Sequence, residues 1–288
     1  CPMKQSLLQE QIGLYTLRFF VLLVLLFLSL ILWEIFSKGG SAIGLDFIFD
    51  YPRKGMTLGG IFPTIMGTIF VTLVTTVFAI PMGICTAIYL SEYANNNWIN
   101  RLIRASIRNL AGVPSIIYGL FGVAVFVQGM GLGSSVLSSG LTLGLLTLPY
   151  IITTTEEALK NVPHSYREGA LALGATKWEA IWSNVLPSAV TGIVTGSILG
   201  LSRAAGETAP ILFTGVAFYL RYLPSSIHDS FMAMPYHLYI LSTQHHAIEE
   251  VRPLAYGTAL VLLSLVFVLN ILAFIIRYRY RSFKQARI

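Results

Sequence analysis

Apolar residues fall in six long runs separated by polar stretches, at residues 14–36, 58–90, 110–128, 136–155, 186–214 and 253–276. Each approaches or exceeds the roughly 20 residues that a helix needs to cross a bilayer core. In hydrocarbon every backbone N–H and C=O must be paired within the protein, and a helix does this locally. The pattern predicts an all-α polytopic membrane protein with six transmembrane helices. The second run is too long for one straight span, so its ends are expected to project into water or to tilt. The fourth run is the weakest, because Gly140, Gly144 and Pro149 interrupt it. The first run lacks a small-residue cleavage site and reads as a span that stays in place.

Composition sharpens this reading. The 288 residues are 55% hydrophobic and only 11% charged, against about 25% charged in soluble domains. With six spans, thirteen Lys and Arg residues fall on one side and five on the other. That bias places both termini in the cytoplasm. The net charge of +6 is then mostly a topology signal. The basic tail, residues 281–288, reads as an anchor to anionic membrane lipid rather than a nucleic-acid contact. Cys85 lies inside the second run and reads as a buried thiol, outside any disulfide framework or metal site.

Arg203 and Glu207 stand out because they interrupt the fifth run. An ionisable side chain in hydrocarbon costs about 2.5 kcal/mol or more, so it needs a partner or a water-filled path. Four residues apart on a helix, the two would share one face. Gly192, Gly196 and Gly200 recur at the same spacing, flanked by Ser188 and Ala204. Small residues so placed let another helix approach closely. The charged pair is expected to continue this face, away from lipid. It is either an ion pair that locks two helices or a charged site on a transport pathway.

The connections carry the remaining signals. Residues 37–57 and 216–252 are expected outside. The second is rich in aromatic residues and reads as structured. Its His245, His246, Glu249 and Glu250 match no tetrahedral ligand spacing, so no metal site is assigned. Residues 156–185 are expected in the cytoplasm. There Pro163 ends one helix, and Ser165 with Glu168 has the spacing of a capping box that starts another. That helix is expected to run to about Leu173, with Gly174 suited to its end. A compact helix between two spans is a natural docking element or an ordinary connection. Gly169 and Gly174 have P-loop spacing, but Ala175 and Thr176 stand where Lys and Ser or Thr are needed. No nucleophile–base set is visible, so the chain is not read as an enzyme.

The same loop resembles the signature of importer-type ABC permeases. Glu168-Gly169-Ala170, Gly174 and Asn184-Val185-Leu186-Pro187 keep its spacing, with Gly169 and Asn184 as departures. Further along, Ser202-Arg203-Ala204-Ala205-Gly206-Glu207-Thr208-Ala209-Pro210 resembles the A-type permeases of phosphate importers. So do Ile88-Tyr89-Leu90-Ser91-Glu92-Tyr93, the stretch from Val113 to Gly122 and the stretch from Leu148 to Glu156. The resemblance implies an N-terminal segment (1–57), a permease core (58–280) and a short basic tail. It implies a pathway through Arg203, Glu207 and Thr208. Glu168, Gly169, Ala170 and Gly174 would form a coupling helix, and Gly192, Gly196 and Gly200 a packing face. Implied partners are a C-type permease, two ATPase subunits that hold the ATP, an extracytoplasmic phosphate-binding protein and a PhoU-like regulator. No cofactor is expected on the chain itself. Its expected place is a bacterial inner membrane. Rival readings are a permease for phosphonate, molybdate or tungstate, a secondary carrier, and a membrane scaffold.

Overall fold

A computed structural model describes residues 2–285, with side chains described for residues 11–279. The basic tail therefore lies outside the described side chains. Helix α1 (Pro2–Gly39) leads into the short α2 (Leu45–Phe49) and a two-residue antiparallel ribbon, β1 (Pro52–Arg53) with β2 (Leu58–Gly59). Helix α3 (Phe62–Ile88) continues into a π-turn at Tyr89–Tyr93. Helix α4 (Trp98–Leu110) follows, then α5 (Ser115–Gly122), prolonged as a π-helical segment to Gly129. Helix α6 runs from Val136 to Lys160, α7 from His164 to Ala172 and α8 from Lys177 to Ala180. A π-turn (Ile181–Val185) joins α8 to α9 (Leu186–Ala205), followed by α10 (Ala209–Thr214), α11 (Met234–Thr243) and α12 (Ile248–Gln285).

Among the described residues, five helices are long and apolar enough to cross a membrane: Gln11–Ala42, Phe62–Tyr93, Val136–Lys160, Lys177–Ala205 and Ile248–Arg279. A bent pair, Trp98–Leu110 and Ser115–Gly129, meets at 104° and makes a sixth crossing if the two are counted as one broken span. The expected third run, 110–128, lies almost wholly in Ser115–Gly129, and the bend falls at its start. Pro114 cannot donate to a continuing helix and disfavours helical geometry at Val113, so α4 ends before it.

The weakest run in the sequence turns out to be the centre of the packing. Helix α6 is unbroken and is the most buried of the spans. Gly140 lies against Val74, and Gly144 against Phe78, so close that a Cβ at either position would fall 2.4 Å from the neighbour. The hydroxyl of Thr75 donates to the Gly140 carbonyl at 3.1 Å across the same interface. Lipid gives helices no hydrophobic reason to associate, so close approach through small residues supplies the contact. The glycines that look like interruptions are where α3 and α6 touch.

Helix α1 is exposed over nearly all its described length and packs on α12. Segment 216–247 is structured, as its composition suggests. Phe231, Met232, Ala233 and Met234 are nearly or wholly buried. The Met234 amide donates to the Thr68 hydroxyl on α3 at 2.9 Å. His245 is held at both ring nitrogens, by the Gly55 carbonyl at 2.8 Å and the Ala247 amide at 3.1 Å. It ties the two long connections together at the end of the molecule opposite α7. Cys85 is exposed rather than buried. It lies on the face of α3 turned away from α6, in a groove lined with Ile80, Trp182 and Val190.

Candidate functional site

The fifth span is broken where the charges lie. Helix α9 stops at Ala205, Gly206 caps it, and α10 starts at Ala209. Pro210 explains the stop. It lacks an N–H to donate to the Gly206 carbonyl, and its ring would clash there in a continuous helix. Arg203 therefore sits in the last turn of α9, where the helix dipole favours a cation, and Glu207 lies outside the helix. The expectation that the two share one helical face is corrected. They still meet, Arg203 Nε donating to Glu207 Oε1 at 3.4 Å.

The glycine stripe faces α6. Gly192 lies against Ala158, Gly196 against Thr154 and Gly200 near Ile151. Arg203 does not follow that stripe into the interface. Its side chain is 50% exposed and that of Glu207 18%. Arg203 Nη1 donates to the Tyr150 hydroxyl at 2.6 Å, and the guanidinium lies 4.7 Å from the Tyr150 ring centre. Tyr150 belongs to α6, ten residues before its C-terminal end at Lys160. The pairing places the half-exposed Arg203 guanidinium level with the middle of α6. Thr208 begins α10, and its side chain makes no capping bond. Tyr150 lies within the Leu148–Glu156 stretch, where the sequence alone assigns it no role. A hydroxyl placed next to a proline in an apolar run was the available signal.

The connection between α6 and α9 is built by two caps. Helix α7 starts at Pro163, whose extended backbone (φ −53°, ψ 141°) sets the first turn. Ser165 lies inside that turn, so the expected Ser165–Glu168 box does not form. The box belongs instead to Thr176 and Glu179: the Thr176 amide donates to the Glu179 carboxylate at 2.7 Å, and the Glu179 amide to Thr176 Oγ1 at 3.3 Å. Helix α7 ends in a Schellman turn, Ala175 N–H to Ala170 O at 3.1 Å and Gly174 N–H to Leu171 O at 3.0 Å. Gly174 has φ +88°, which glycine adopts without strain. A Cβ on Gly169 would meet open space, so its departure from the motif costs no packing. Glu168 is exposed, Ala170 is buried, and Leu173 is 91% exposed.

Five membrane-crossing helices with a bent pair beside them, a charged break in one span and a short exposed helix between two spans are the architecture of a multi-pass membrane protein. The chain belongs to the binding-protein-dependent transport system inner membrane component family, whose model matches residues 79–282. It is 34% identical over 260 residues to a probable phosphate transport system permease protein PstA of Methanocaldococcus jannaschii, covering 89% of each chain. It is 34% identical over 180 residues to a probable ABC transporter permease protein, YqgI, of Bacillus subtilis, covering 62% of this chain and 61% of that one. The fold is that of a bacterial alginate ABC transporter solved with a pentasaccharide-bound periplasmic protein. There the TM-score is 0.65 at 15% identity, covering 94% of this chain and 93% of the other.

Proposed function

We propose that this chain is half of the membrane pathway of an ATP-driven importer of inorganic phosphate, and that Arg203 meets the anion in transit. The carrying observation is a half-exposed guanidinium at a break in a membrane span. A guanidinium stays charged at any working pH and offers a planar fork to two phosphate oxygens. The Tyr150 hydroxyl holds one arm in place. Glu207 balances the charge, so the anion is met but not trapped, since passage requires release. Thr208, free of a capping bond, offers a hydroxyl beside the same break. The names of the relatives supply the choice of phosphate over other oxyanions.

The energy comes from elsewhere. Helix α7 lies exposed between two spans, with Glu168 and Leu173 on its surface. It docks a separate ATPase subunit, which holds the ATP; the chain carries no cofactor. Closure of the ATPases moves α7 and the spans attached to it, exposing Arg203 alternately to the two sides. The other half of the pathway is a C-type permease. An extracytoplasmic binding protein delivers phosphate, and a PhoU-like regulator acts from the cytoplasm, where both termini lie.

The test is phosphate uptake by the assembled complex, with phosphonate, molybdate and tungstate as competitors, beside a Gly174→Val variant. A β-branched residue at φ +88° is strained by about 1–2 kcal/mol, enough to disturb the turn that ends α7 without ejecting the protein from the membrane. Uptake should collapse with the ATPases no longer co-purifying. Normal uptake by Gly174→Val would reject the docking assignment, and preferential uptake of another oxyanion would reject phosphate.

A further inference from the structure

Arg167 lies on α7, but its side chain turns back into the protein and is only 17% exposed. Its Nε donates to Glu92 Oε2 at 3.0 Å and its Nη2 to Glu92 Oε1 at 2.6 Å, a two-pronged pair. The same guanidinium donates to the Val162 carbonyl from Nη1 and to the Leu159 carbonyl from Nη2, each at 2.9 Å. Glu92 is 6% exposed.

The three elements so joined are the relevant point. Leu159 lies in the last turn of α6 and Val162 just beyond it; the Leu159 carbonyl also accepts from the Val162 amide at 3.2 Å. Glu92 lies in the π-turn at the end of α3, and π-turns re-aim side chains and gather at functional positions. Four of the five N–H groups of one side chain therefore clamp α7 to the ends of two membrane helices. A second link joins the next helix to the same π-turn: Lys177 Nζ lies 4.9 Å from the Tyr93 ring centre. The backbone links are two short hydrogen-bonded turns. Helix α7 joins α6 through Asn161–Pro163 and α8 through the turn at Gly174.

We propose that Arg167 and Glu92 are the positioning pair that makes α7, α6 and α3 move as one body, and that they set how much transport each ATP yields. The proposal rests on the reading of α7 as the ATPase-docking helix. A pair that served only stability would act differently. Desolvation offsets most of what a buried ion pair gains, and its loss would lower assembly, ATP hydrolysis and uptake together.

The experiment uses the full complex in proteoliposomes, measuring phosphate uptake and ATP hydrolysis on the same preparation. Arg167→Lys keeps the charge and loses the fork; Glu92→Gln keeps the shape and loses the charge. Both should assemble and hydrolyse ATP within about twofold of wild type while uptake per ATP falls about tenfold, the upper range of single-residue effects on coupling. An unchanged ratio overturns the proposal, and so does a proportional fall in both activities. If Glu92→Gln does not assemble, Glu92→Asp, which keeps the charge on a shorter arm, is read in its place by the same ratio. The docking reading fails separately: a wild-type complex whose permease does not bind the ATPases rejects it before any variant is measured.

Discussion

Replacing Arg203 with Gln removes the charge and keeps a polar chain of comparable reach. Its structural cost can be bounded from the contacts. The contact with Glu207 is long, at 3.4 Å, with the Arg203 side chain 50% exposed. Pairs so exposed contribute about 0.2–1 kcal/mol. The bond to the Tyr150 hydroxyl is short, at 2.6 Å, and a bond to a charged group contributes about 1.5–3 kcal/mol. Glutamine can still donate there, so part of that is retained. A stability loss of about 1–2 kcal/mol is expected, too little to unfold a domain of ordinary stability. The loss to the passing anion is larger. Truncating one partner of a hydrogen-bonded charge pair costs about 2–5 kcal/mol, and each 1.4 kcal/mol is about tenfold. Uptake should fall at least about thirtyfold while the complex is recovered in near-normal yield. Arg203→Lys should also be impaired, because an ammonium lacks the planar fork. The assay is labelled phosphate uptake beside size-exclusion yield for Arg203→Gln, Glu207→Gln and the double variant. If the pair were a lock between structural elements, the double variant would restore both quantities. Recovery of transport in the double variant would refute the pathway role, as would near-normal uptake by Arg203→Gln alone.

Two further outcomes follow from the packing and the topology. Gly196→Ala would place a Cβ 2.2 Å from Thr154 Oγ1 and should cost about 1–3 kcal/mol by forcing α9 from α6; Gly200→Ala meets Ile151 at an ordinary 3.6 Å and should stay within about 0.5 kcal/mol. Equal melting temperatures for the two purified variants would contradict this. With Cys1 and Cys85 replaced, an impermeant thiol reagent on intact cells should label Ser226→Cys and spare Lys177→Cys; the reverse pattern would invert the orientation.

The membrane class, five of the six expected spans and the turn at Gly174 could be read from the chain because each depends on neighbours in sequence. A run of apolar residues is desolvated as a unit and satisfies its own backbone in a helix. A left-handed turn needs glycine at one position. The small-residue stripe could also be read as a contact face, since helical spacing alone sets which residues align. What the sequence left open depends on groups that meet only after folding. The partners of Arg167 and Arg203 include Glu92, 75 positions away, and Tyr150, 53 positions away. Local spacing pointed to Ser165–Glu168 as the cap, but the start of the helix at Pro163 put that serine inside the first turn and left the box to Thr176 and Glu179. Gly140 and Gly144 read as interruptions until Val74 and Phe78 were found against them. Cys85 was read as buried because its run is apolar, yet hydropathy is the same for lipid-facing and protein-facing positions in a span. Hydrophobic pattern decides that a segment enters the membrane, and only the packing of helix against helix decides which of its faces remains open there.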